Sequence, residues 1–226
     1  MFVLAIIPAR GGSKGIKNKN LKKINGKSLI EYTILEAKKS RLVNDIYVST
    51  DSNKIINIAK KKKINFIKRP KILSGDRSKT IDAIKHLIKF YKKKFNFFPD
   101  YIIILQPTSP LRKSTHIDAA LKMIFKNKKS DSLVSCIKIK HNFNPESLMQ
   151  ITKKGNLKFN KKLTRRQDKK IFYARNGAAI YIIKYPVYLK KIFGKNTIPF
   201  IMNSTSSIDI DDNNDLKKFR KIICEK

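Results

Sequence analysis

The chain opens with Phe2-Val3-Leu4-Ala5-Ile6-Ile7-Pro8-Ala9-Arg10-Gly11-Gly12-Ser13-Lys14-Gly15, an apolar run that passes directly into three glycines flanked by an arginine and a lysine. A run this short, ended by Pro8, reads as a buried strand. Glycine adopts backbone angles closed to other residues and lets amide N–H groups come close to a ligand. Such groups beside fixed cations suit a polyphosphate. A loop directly after a strand also lies at the carboxyl edge of its sheet, where open α/β folds bind ligands.

From this start the pattern alternates strand and helix. Leu29, Ile30, Thr33, Ile34 and Ala37 form a helical stripe within residues 28–39, and residues 45–50 read as a strand ending at Asp51. Residues 54–62 read as a helix, and 64–67 as a short strand closed by Arg69-Pro70. Ile81, Ile84, Leu87, Ile88 and Tyr91 give helical spacing over 80–95. Tyr101-Ile102-Ile103-Ile104-Leu105 is continuously apolar, as expected at the centre of a parallel sheet. Residues 116–126 read as helix and 132–139 as strand. The rhythm resumes with a strand at 179–183, a helix around Tyr188, a strand near Ile198 and a last helix at 215–223.

Repeated βα units imply right-handed crossovers and helices on both sheet faces. The predicted fold is therefore α/β, a Rossmann-like doubly wound and mostly parallel sheet. One domain is expected over 1–226, with an inserted, hairpin-like arm at about 140–172 that is polar and rich in Asn and Lys.

With 226 residues and 41% hydrophobic content, the chain can bury a proper core despite a net charge of +36. That charge admits an RNA- or polyanion-binding reading. Against it, the basic residues are 43 lysines and 9 arginines, and abundant Asn and Ile mark the amino-acid usage of an AT-rich genome. The lysines mostly occupy polar helix faces, and neither an RNA-binding aromatic signature nor zinc spacing appears. The expectation is no nucleic-acid partner. Cys136 and Cys224 form no motif, which suits a reduced cytoplasm. The N-terminal apolar run is too short to span a membrane and lacks a preceding basic region, so it is expected to be core and not a signal peptide or membrane anchor.

Arg10, Lys14 and Lys19 cluster around the glycines, yet neither the Walker A nor the dinucleotide glycine spacing is present. The loop is expected to bind phosphate without being either of those motifs. Gln106-Pro107-Thr108-Ser109-Pro110-Leu111-Arg112 follows the most apolar strand directly. Pro110 suits a helix start, whereas Gln106, Thr108 and Ser109 at the same sheet edge suit a base or sugar contact. In Ser207-Ile208-Asp209-Ile210-Asp211, carboxylates two positions apart share one side of a strand and suit Mg²⁺. The competing role is a helix cap, which Asp212 or Asn214 can fill instead. Asn176-Gly177 suits a turn, while Arg166 and Gln167 upstream suit a carboxylate. His86, His116 and His141 have no partner at metal spacing, and only His141, beside Lys140 in the arm, is placed to line a site.

Together these residues resemble the acylneuraminate cytidylyltransferase family, the CMP-sialic acid synthetases. The resemblance rests on Pro8-Ala9-Arg10-Gly11-Gly12-Ser13-Lys14-Gly15-Ile16, Lys19-Asn20-Leu21, Ser49-Thr50-Asp51 and Arg69-Pro70. It continues through Gln106-Pro107-Thr108-Ser109-Pro110-Leu111-Arg112, Asn176-Gly177-Ala178 and Asp209-Ile210-Asp211, in order across nearly the whole chain. Where the family usually has proline after Gly-Ile, this chain has Lys17-Asn18.

The resemblance implies a cytoplasmic, Mg²⁺-dependent nucleotidyltransferase, homodimeric through the arm, that uses CTP and a nonulosonic acid. An acceptor among other 2-keto-3-deoxy sugar acids is the alternative. By similarity Arg10, Ser13 and Lys14 would hold the triphosphate, with Gly11, Gly12, Lys19 and Arg69 beside them. Asn20, Asp76 and Ser78 would surround the cytidine. Gln106, Arg166 and Tyr181 would face the sugar, with Thr108, Ser109, Gln167 and Asn176 near it. Asp209 and Asp211 would hold the metal. Arg10, Lys14 and Asp211 carry the expected catalysis.

Overall fold

The computed structural model describes residues 1–13, 15–75, 78–159, 167 and 170–225. The first strand, β1, is Val3–Pro8, and it feeds the glycine loop directly. A small antiparallel hairpin follows, β2 (Lys23–Ile24) with β3 (Lys27–Ser28). Asn25 and Gly26 turn it with φ of 47° and 73°, the left-handed pair that a two-residue hairpin requires. Helix α1 (Leu29–Lys39) starts at Ser28, whose N–H and hydroxyl both donate to Glu31 at 2.8 and 2.7 Å. Next come β4 (Asp45–Thr50), α2 (Asn53–Lys61), β5 (Asn65–Lys68), α3 (Thr80–Phe95), β6 (Tyr101–Ile104), α4 (Ser114–Lys126) and β7 (Ser132–Lys138).

Within the region expected as an arm, β8 (Met149–Ile151) and β9 (Leu157–Phe159) pair antiparallel as a separate two-stranded sheet. The main sheet resumes with β10 (Tyr173–Arg175), β11 (Tyr181–Lys184) and β12 (Thr197–Ile201), and α5 (Asn213–Cys224) closes the chain. The segment around Tyr188, expected as a helix, is only a short 3-10 turn, Val187–Leu189.

β1 lies between β4 and β6 with parallel pairing to both, and β5 continues the sheet beyond β4. On the other side β11 runs antiparallel between β6 and β7, and β12 adds to the far edge of β7 in parallel. Alternate residues of β1 divide the core. Val3, Ala5 and Ile7 pack with α1, α2 and α4, while Leu4 and Ile6 pack with α3. Each fully buried Val, Leu or Ile among these contributes roughly 1.5–3 kcal/mol. A third cluster, with Ile16, Leu29, Ile210 and Phe219, seats α5 against the glycine loop. That packing brings the two ends of the chain to one edge of the sheet.

The line of β10 and β11 is broken. Arg175 stands opposite Cys136 and Tyr181 opposite Val134, so residues 176–180 face Ser135 alone. The excess chain is pushed out at the carboxyl edge as a turn with Gly177 and Ala178 both left-handed, at φ 66° and 54°. The strand expected from residue 179 therefore begins at Tyr181.

Candidate active site

Three loops and the C-terminal acidic segment meet above the carboxyl ends of β1, β5 and β6. In the first loop, the Gly11 N–H donates to Asp51 Oδ1 at 2.8 Å, and a Cβ on Gly11 would stand 3.0 Å from that of Ser52. The Ser13 hydroxyl donates to the Ile16 carbonyl and accepts the Lys19 N–H at 3.0 Å, closing the loop on itself. Asn20 Nδ2 donates to the Arg10 carbonyl at 3.0 Å. Arg10 Nη1 reaches across to the Gly75 carbonyl at 3.3 Å.

The second loop joins β5 to α3. Arg69 is buried, with Nε donating to Ser49 Oγ at 3.1 Å and Nη2 to the Ser49 carbonyl at 2.8 Å. Burial lowers its pKa and Arg10 adds to the fall, while Asp51 opposes it. Two guanidinium groups thus share one wall. The third loop follows β6, where Thr108 gives its carbonyl to the Ile210 N–H at 2.8 Å and so anchors the acidic segment.

These walls enclose a cavity of about 530 Å³, within the usual size range of small-ligand sites. Of the expected nucleotide residues, Arg10, Gly12, Ser13, Lys19, Asn20, Arg69 and Ser78 line it, and so do Gln106, Thr108 and Asp211. Gly11 lies behind them with its amide committed to Asp51. Lys14, Asp76 and Arg166 fall outside the described residues. Lys79 and Thr80, at the start of α3, also line the cavity. Their sequence signal was the onset of the helical stripe beside Ser78.

Four expected sugar contacts lie elsewhere. Ser109 is fully buried and its hydroxyl has no partner. Gln167 is exposed in the arm. Asn176 is buried, with Oδ1 accepting from Ser135 at 2.6 Å and Nδ2 donating to Ser207 at 2.9 Å, so it anchors the protruding turn. Tyr181 is buried against the Phe193 ring.

The segment with Asp209 and Asp211 is irregular and not a strand, because Thr108 and Lys19 claim its backbone. Asp212 caps α5, accepting the Asp215 N–H at 2.9 Å, and so leaves the other two carboxylates unclaimed by the helix. Asp211 is exposed and ion-paired with Lys19 at 2.9 Å. Asp209 is half-buried, and its Oδ1 is buried with no hydrogen-bond partner. Burial pushes its pKa up and Asp211 adds to the rise, while Thr108 and Lys19 act against it. A carboxylate oxygen buried without a donor fits a hard cation. No cluster of three or more His, Cys, Asp or Glu occurs among the described residues, but Mg²⁺ in phosphate chemistry needs only one or two carboxylates beside phosphate oxygens and water.

An open α/β sheet with a glycine- and cation-rich loop at its carboxyl edge, sharing a cavity with Asp211, suits a nucleotide, and the family match makes the chain a nucleotidyltransferase. The chain belongs to the cytidylyltransferase family, whose model matches residues 4–223. It is 36% identical over 233 residues to post-translational flagellin modification protein B of Campylobacter coli, covering 99% of this chain and 96% of that protein. It is also 36% identical over 222 residues to the CMP-N,N'-diacetyllegionaminic acid synthase of Legionella pneumophila, covering 93% and 91%. With the N-acylneuraminate cytidylyltransferase of Escherichia coli the identity is 34% over 223 residues, covering 95% of this chain and 50% of that one. The chain thus spans about half the length of the N-acylneuraminate cytidylyltransferases it matches. Its fold is that of the CMP:2-keto-3-deoxy-manno-octonic acid synthetase solved with CTP, at a TM-score of 0.74 and 16% identity over 100% of this chain and 99% of that one.

Proposed function

We propose that this chain transfers CMP from CTP to the anomeric 2-hydroxyl of a nonulosonic, sialic-type acid. The carrying observation is the meeting of Arg10, Ser13 and Lys19 with Gln106, Thr108 and Asp211 around one cavity. The hydroxyl oxygen bonds to the α-phosphorus, the bond to the β-phosphate breaks, and pyrophosphate departs. Positioning and charge neutralisation carry most of such a reaction. Arg10 and Lys14 grip the phosphate oxygens on which charge builds. Lys19 holds the loop against Asp211, and Asp211 takes the hydroxyl proton. Gln106 and Thr108 orient the sugar acid from the opposite wall.

Asp209 and Asp211 would hold Mg²⁺, which when bound neutralises phosphate charge. The free cysteines Cys136 and Cys224 support a cytoplasmic location. The β8–β9 hairpin supports a homodimer: Met149, Ile151, Leu157 and Phe159 pair across it and are 49–75% exposed, and a lone two-stranded sheet is at best marginally stable.

A pyrophosphate-release panel tests the reading, with CTP and Mg²⁺ against N-acetylneuraminate, legionaminate, pseudaminate and a 2-keto-3-deoxyoctonate. Release with a nonulosonic acid and CTP supports it. Release with the octonate alone would move the acceptor class, and no release with any acid would overturn the assignment.

A further inference from the structure

Arg112 is 1% exposed, and every acceptor it bonds is neutral, with the Glu36 carboxylate acting on it only through space. Nη1 donates to the Ala179 carbonyl at 2.8 Å and the Gln106 carbonyl at 3.2 Å, while Nη2 donates to Thr33 Oγ1 at 2.8 Å. Nε has no partner. A buried cation without a hydrogen-bonded carboxylate is costly to keep, so its three contacts need a reason.

They join three elements: Ala179 in the protruding turn, Gln106 in the loop after β6, and Thr33 on α1. Gly177 and Ala178 are consecutive left-handed residues, and Ala178 is not glycine, so the turn is strained. Asn176 ties one side of it to Ser135 and Ser207. Arg112 ties the other side at Ala179. The turn in turn fixes two site elements. Its Ala178 carbonyl accepts the Gln106 N–H at 3.3 Å, and Gly177 packs so tightly on Asp209 that a Cβ there would fall 2.0 Å from the carboxylate.

We propose that Arg112 is a positioning residue, whose guanidinium fork holds the Asn176–Ala179 turn against the β6 loop and thereby sets Gln106 and Asp209 for the acceptor half of the reaction. This inference rests on the cytidylyltransferase reading. Among the described residues none of the hydrogen bonds of Arg112 goes to the glycine loop, so the nucleotide half is left alone. An ammonium cannot bridge three acceptors in one plane, so lysine does not replace it.

The test uses Arg112→Lys and Arg112→Ala in the intact chain. In R112K the acceptor KM rises about tenfold, the scale of a small misplacement of positioning groups, while the CTP KM stays within about twofold. The Gln106 and Ile180 amides exchange hydrogen faster, since both are protected through this turn, whereas the β1 amides do not change. Millimolar guanidinium restores the acceptor KM of R112A, and an equal concentration of ammonium does not. Unchanged acceptor KM and unchanged exchange in R112K, or a parallel rise of both KM values, would overturn the proposal. If the wild-type protein releases no pyrophosphate with any acid, the functional reading fails, and exchange at the two amides alone decides the role of Arg112.

Discussion

Lys19 Nζ lies 2.9 Å from Asp211 Oδ1 and 2.6 Å from the Ile210 carbonyl, although the two segments are 192 positions apart in the chain. The ammonium is largely buried and Asp211 is mostly exposed, so solvent screens the ion pair and its direct worth is small. Its value is geometric: it joins the glycine loop to the acidic segment at the wall of the cavity. Lys19→Ala should therefore lower stability by only about 1 kcal/mol. The same change should reduce kcat/KM for CTP roughly ten- to a hundredfold, because two walls lose their common anchor. Thermal melts and steady-state kinetics on one preparation separate the two effects.

Arg10 faces the cavity and shares its wall with the buried Arg69 guanidinium. A charge-assisted contact to a phosphate oxygen is worth roughly 1.5–3 kcal/mol. Arg10→Ala should then slow pyrophosphate release by about ten- to a hundredfold. Turnover within twofold of wild type would take Arg10 off the phosphates.

Three glycines differ in what closes on them. A Cβ on Gly15 would lie 2.5 Å from the Asp211 carbonyl, and one on Gly177 would strike the Asp209 carboxylate, at a residue with φ 66°. Nothing stands within 4 Å of a Cβ on Gly12. Gly177→Ala should lose roughly 1–3 kcal/mol and raise the Mg²⁺ concentration needed for half-maximal rate, and Gly15→Ala should shift Asp211 in the same direction. Gly12→Ala should melt as wild type, because any loss of activity there comes from the ligand side. Melts and Mg²⁺ titrations of all three variants read the pattern directly.

The same contrast explains what was legible in the residues. Tyr101–Leu105 could only be a buried strand, and the stripe from Ile81 to Tyr91 matches α3 over Thr80–Phe95. The glycine loop and Gln106 were found because local composition alone identifies them. Asn176-Gly177 suits a turn, but its extension to 180 is hidden: Ala178–Ile183 is an unbroken apolar run, and the break depends on Ser135 in a distant strand. The Ile-Asp-Ile-Asp alternation suggested a strand, yet Thr108 and Lys19 take its backbone partners. The family resemblance puts Asn176 near the sugar. Its bonds to Ser135 and Ser207 show an anchor, a distinction that only long-range contacts can draw.

Acid should weaken the fold before it protonates the carboxylates. Burial lowers the pKa of His86 below its ordinary 6.5, and the Arg69 charge adds to the fall. Burial also lowers that of His116, with Lys113 and Arg112 adding and Glu36 opposing. Below pH 6.5 the unfolded chain therefore takes up protons that the folded chain resists, and stability rises with pH through that window. The melting temperature should drop as pH falls from 7.5 to 5.5, and the double variant His86→Gln with His116→Gln should flatten the slope. An unaltered slope would move the acid sensitivity to other groups.

The hairpin gives the last prediction. Met149 stands opposite Phe159 and Ile151 opposite Leu157, so four apolar side chains share one face of a sheet that has no third strand among the described residues. Ile151 is 75% exposed. Two strands this short do not hold themselves together in water, and a contiguous apolar face marks a protein contact. In a homodimer a second copy covers it. Ile151→Lys with Phe159→Lys would place two ammonium groups in that contact, where desolvation without a partner is strongly unfavourable. Light scattering should give the mass of a dimer for the wild type and of a monomer for the double variant. A wild-type mass near 26.1 kDa would exclude the dimer, and an unchanged dimer in the variant would move the contact off the hairpin.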